Sequence, residues 1–73
     1  MGLDQVKLGK CATVKEIAMD ESVKNRLRDF GLVPGTEVIC RYRSPGGQVT
    51  ALSFRSAVIA MRTRDLNKIR VWC

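Results

Sequence analysis

Apolar residues along this chain recur mainly at the two-residue spacing of strands, and in one place at the three-to-four spacing of a helix. The segments "ATVKEIAM" (12–19), "TEVICRYR" (36–43), "QVTALSF" (48–54), "AVIAMR" (57–62) and "KIRVWC" (68–73) are short, rich in β-branched residues and separated by turn signals, so five strands are expected. In the first, Val14 and Ile17 fall out of strict alternation, which predicts a bulge. Alternation turns Val38, Cys40 and Tyr42 inward and Glu37, Ile39, Arg41 and Arg43 outward. Across the hairpin turn "SPGG" (44–47), the bulkier set Thr50, Leu52 and Phe54 is the expected inner face, with Val49, Ala51 and Ser53 as the alternative. Ala57, Ile59 and Met61 follow inward, "TRDLN" reads as a single tight turn, and Ile69 and Val71 are inward with Trp72 outward.

The segment "DESVKNRLRDFG" (20–31) carries Val23, Leu27 and Phe30 at i, i+4 and i+7, an apolar stripe on a charged helix, with Asp20 or Ser22 placed to cap its first turn. Gly31 stands where a helix ends in a left-handed residue, so that Leu32 folds back on the stripe. Pro34 and Gly35 then form the central pair of a type II turn. Leu27, Phe30, Gly31, Leu32, Pro34 and Gly35 therefore make a rigid structural corner, with Leu27, Phe30 and Leu32 buried together and both glycines at positive φ. Five short strands and one helix in 73 residues predict a mostly β fold, a small closed or partly open barrel with the helix plugging one end.

Length allows one domain, residues 1–73, with a core supplying only about 3–5 kcal/mol. No run approaches the roughly 18 apolar residues of a membrane span, and "MGLDQVKLGK" lacks the apolar core of a secretory leader, so a cytoplasmic location without membrane insertion is expected. Chemistry is sparse. There is no histidine, the seven carboxylates are scattered among basic residues, and no phosphate-binding glycine loop is present. Cys11, Cys40 and Cys73 are too widely spaced for a metal or redox motif; Cys40 reads as a core residue, and Cys11 and Cys73 would meet if the terminal strands pair. The chain is expected to be no enzyme, with no metal site and no cofactor. Charge is uneven: residues 1–40 are neutral, and the whole excess of +6 lies in residues 41–73, which points to an anionic partner on that side.

The stretch "RLRDFGLVPGTEV" (26–38) resembles the Arg-Leu-x-x-Leu/Met-Gly-Leu-x-Pro-Gly-x-x-Val signature of the ferrous iron transport protein A (FeoA) family. "LDQVKLGKCATVKEI" and "AVIAMRTRDLNKIRV" are similar to that family's opening and closing segments. Arg55 and Ser56 stand where the family often has glycine. The resemblance implies a small SH3-like β-barrel of about five strands, non-enzymatic and cytoplasmic, which binds the ferrous iron transport protein B permease and modulates its action. The same fold occurs at the C-terminus of iron-dependent repressors, which gives an alternative as a regulatory domain. The candidate partner surface is Arg28, Ile39, Val58, Ala60, Arg70 and Trp72, outward apolar and arginine residues of the types that anchor interfaces. A nucleic-acid-binding barrel is the alternative from charge, opposed by Trp72 as the single expected outward aromatic for base stacking. Direct binding of ferrous ion is opposed by the missing histidine and dispersed acids.

Overall fold

Each alternating segment becomes a strand in the computed structural model, which describes residues 1–55 and 57–72. The expectations for Ser56 and for Cys73 as a partner of Cys11 lie outside those residues. Strand β1 spans Cys11–Ile17, helix α1 Glu21–Phe30, β2 Glu37–Arg43, β3 Val49–Phe54, β4 Ala57–Arg62 and β5 Ile69–Trp72. Two short 3₁₀ segments, Leu3–Gln5 and Thr63–Lys68, complete the order. The strands form one antiparallel sheet in the order β4-β3-β2-β1-β5.

Two register shifts bend that sheet. The first lies between Val14 and Glu16 in β1, where the broken alternation predicts it. The second lies between Cys40 and Tyr42 in β2 and leaves Arg41 as the extra residue. A bulge increases local twist and bends its strand, so both favour curling around a shared core. That core gathers Ala12 and Val14, Val38 and Cys40, Thr50, Leu52 and Phe54, and Ile69 and Val71 from four strands. Ala57, Ile59 and Met61 of β4 pack against it while partly exposed.

The second bulge corrects the reading of β2. Tyr42 is displaced by one residue from the inner set and is 58% exposed, paired opposite Ala51 on the outer face. Arg43, expected outward, instead turns in: its guanidinium donates to the carbonyls of Asp4 (3.0 Å) and Val6 (3.2 Å) and to the Thr50 hydroxyl (3.3 Å). Thr50, fully buried, also shares a 2.7 Å hydrogen bond with Thr63.

Three further expectations are corrected. Phe30 is 53% exposed, because its position near the end of α1 carries it past the edge of the core that Leu27 reaches. The first turn of α1 has Asp20 as its boundary residue without a side-chain capping bond. The segment after β4 is a six-residue 3₁₀ helix rather than one tight turn, because the longer path delivers Leu66 to full burial. The amino-terminal segment also joins the core through Leu3 and Val6. Its 3₁₀ turn packs against the second one.

Candidate functional site

The corner between α1 and β2 is a frame for the rest. Gly31 (φ 93°) lets its own N–H bond to the Arg28 carbonyl and the Leu32 N–H bond to the Leu27 carbonyl, both at 2.9 Å. Leu32 thereby returns to full burial beside Leu27. Gly35 (φ 95°) completes the turn closed by Thr36 N–H to the Val33 carbonyl at 3.0 Å. The Thr36 hydroxyl donates to the Gly31 carbonyl at 2.9 Å and accepts from the Val33 N–H at 3.2 Å. Backbone bonds from Val14 to Thr36 (2.9 Å) and from Gly35 to Val14 (2.8 Å) then tie the corner to β1. Pro34 is exposed at its tip.

The proposed surface residues do not form one patch. Register places Ile39 opposite Ser53 and Ser53 opposite Val58, and in the adjoining row Tyr42 opposite Ala51 and Ala51 opposite Ala60. The outer face of β2, β3 and β4 therefore collects Ile39, Tyr42, Val58 and Ala60, with Val58 68% exposed. Trp72 and Arg70 lie at the other end of the sheet on β5, beyond β1. There the Lys15 ammonium sits 4.5 Å from the centre of the Trp72 ring, a cation–π contact. Arg28 is separate again: it accompanies Glu16, Ile17, Lys24, Val33 and Pro34 around a groove between β1 and α1, and donates to Asn25 Oδ1 at 3.0 Å.

Tyr42 is the residue that strand alternation misses; the one-residue bulge that exposes it leaves no apolar signature, since Arg41 and Tyr42 both tolerate solvent. A second missed feature is a groove between α1 and β4, lined by Val23, Leu27 and Phe30 on one side and Ile59 and Met61 on the other. Arg26 and Arg62 border it, and Arg62 is held by Asp65 at 3.0 Å.

Among the described residues no group of three or more His, Cys, Asp or Glu side chains comes together as a metal site. The exposed Cys11 thiol donates to Glu37 Oε2 at 3.5 Å, and buried Cys40 points to the Leu3 carbonyl at 4.0 Å. No described helix is long and apolar enough to cross a membrane. This geometry offers surfaces for contact.

Comparison with known proteins places these surfaces in a family. The model of the FeoA domain matches residues 1–72. No curated protein matches the sequence. Among solved structures, the FeoA protein of Chlorobium tepidum superposes with a TM-score of 0.93 at 29% identity, covering 99% of this chain and 69% of that one. A FeoA-like protein of Clostridium acetobutylicum gives 0.81 at 28% identity, over 97% and 83% of the two chains. The FeoA of Stenotrophomonas maltophilia, complexed with zinc, gives 0.82 at 25% identity over 97% and 88%. That protein is described as a prokaryotic SH3 domain protein suggested to act as a ferrous iron transport activating factor. The partly open five-stranded barrel seen here is the same SH3-like fold, and the chain belongs to the FeoA family of ferrous iron transport accessory proteins.

Proposed function

We propose that this chain is a single-domain cytoplasmic accessory of ferrous iron uptake that docks on the ferrous iron transport protein B permease and modulates it by contact. The observation that carries the reading is the family match over residues 1–72, joined to an outer sheet face on which Ile39, Tyr42, Val58 and Ala60 are gathered. Tyrosine and arginine are among the residues that dominate interface energetics, and apolar neighbours around them exclude water. Arg41 and Arg62 are exposed on the flanking positions. The test is capture of the permease from membranes by the immobilised chain. Tyr42→Ala is expected to lower capture at least fivefold, while Arg28→Glu, on the far groove, retains it. Absence of capture by the parent chain overturns the reading; equal capture by Tyr42→Ala moves docking away from the sheet face.

Exposure of Tyr42 and Phe30 bears on the nucleic-acid alternative as well, because with Trp72 it brings the outward aromatics among the described residues to three, but these stand on three separate elements, β2, α1 and β5, rather than along one groove. The Lys15 ammonium already occupies one face of the Trp72 ring, which leaves less of that ring for a stacked base. The protein partner remains the better match to the surface.

A further inference from the structure

The two edges of the sheet are treated differently by the fold. Along β5, the amino-terminal residues act as a sixth, minimal strand: Val71 N–H bonds to the Met1 carbonyl at 2.8 Å, and Gly2 bridges Arg70. Along β4, no backbone hydrogen bond runs to any segment other than β3 among the strand's described residues. In an antiparallel ladder alternate residues of an edge strand turn N–H and C=O away from their partner, so half of the β4 backbone groups face outward.

Natural edge strands are blunted by lysine, proline, bulges or cover. β4 has none of the first three: its sequence is Ala-Val-Ile-Ala-Met-Arg, and its register with β3 runs unbroken from Val49↔Arg62 to Phe54↔Ala57. Beside it lies the groove shared with α1, which reaches Ala60 and Arg62 as well as Ile59 and Met61, so it follows the strand. Phe30, half exposed, stands on the facing wall.

We propose that the outer edge of β4 is a strand acceptor for an extended, acidic segment of a partner protein, seated between β4 and α1. Strand addition supplies main-chain pairing, and every second side chain enters the flanking groove. Apolar residues at those positions meet Phe30, Ile59 and Met61, beside which Arg26 adds positive charge at the groove's border, while acidic residues in between, on the outer face, meet the Arg62 guanidinium, which is bonded to Asp65 through its Nε. Arg26 makes no ion pair among the described residues, and Asp65, the acid of the groove, is already held by Arg62. A second copy of this chain would instead bring one net charge of +6 against another. The inference deepens the docking reading and rests on it for the existence of a protein partner.

The experiment uses the full chain, ¹⁵N-labelled, and a seven-residue peptide alternating glutamate with valine, at low salt. The expected result is slowed amide exchange at alternate residues of β4, with shifts at Phe30 and Ile59. A lysine–valine peptide is expected to bind at least tenfold more weakly, and so is the glutamate–valine peptide N-methylated on the edge that would donate to β4. Equal binding of the N-methylated peptide overturns strand addition, because its side chains are unchanged. Protection mapped to β5 or to the outer sheet face also overturns it, as does concentration-dependent dimerisation of the chain through β4. Permease capture is scored separately. Peptide pairing at β4 without permease capture refutes the docking reading alone, whereas capture without peptide pairing refutes the acceptor edge alone.

Discussion

Gly31 shows how much can depend on one missing methyl group. At φ 93° an L side chain is strained, and a Cβ built there would meet the Arg55 side chain only at ordinary contact distance, 3.5 Å from its Cδ. The cost of substitution is therefore in the backbone rather than in space. Gly31→Val is expected to lose about 1–3 kcal/mol, more than Gly31→Ala, by thermal melting followed with circular dichroism. Equal melting of both variants and the parent would mean that the corner relaxes. Residue identity made this position legible, since a glycine after a helical stripe has a specific conformational use. Tyr42 was not legible for the opposite reason: a single inserted residue reverses the facing of every later residue in its strand, and nothing in Cys40-Arg41-Tyr42-Arg43 signals where the insertion falls. Arg55, at φ 53°, is a non-glycine residue in the left-handed region at the β3–β4 turn.

At the scale of elements, α1 is held by one deep anchor rather than a full stripe. Leu27 is 5% exposed, Val23 is half-buried, and Phe30 is mostly outside. Leu27→Ala is expected to cost about 2–5 kcal/mol through lost burial and the cavity left behind, which approaches the whole stability of so small a domain. Phe30→Ala is expected to cost less than about 1 kcal/mol, since a half-exposed ring loses little burial. Denaturant unfolding of the two variants side by side checks the contrast, and a Phe30→Ala loss as large as that of Leu27→Ala would place the ring in the core. The helical period told where α1 lies but not how far along it the core extends, because that limit is set by the packed strands, which arrive from distant sequence. The same reason hid the 3₁₀ course of residues 63–68: its length answers to the depth of Leu66, not to local turn chemistry.

For the molecule as a whole, alternation and turn spacing were enough to predict a mostly β barrel, and the antiparallel order follows once each strand pairs with available neighbours. The amino-terminal contribution was hidden, because Leu3 and Val6 sit in a short polar stretch with no period of its own. Leu3 is fully buried, so Leu3→Ala is expected to destabilise by about 2–5 kcal/mol, as much as a central strand residue. A melting temperature unchanged from the parent would show that this segment is an ornament. The pairing of β1 with β5 has a different kind of consequence, one in time. Thr13 is partnered by Trp72, 59 residues later. At a synthesis rate of about 5–20 residues per second, β1 waits roughly 3–12 seconds for its second neighbour. Throughout that interval the nascent sheet is short of Ile69 and Val71, and Val14 lacks their cover. Folding to the finished barrel is thus deferred until β5 has been made, and the pairing of β1 with β5 is among the last contacts that a chain growing from its amino terminus can form.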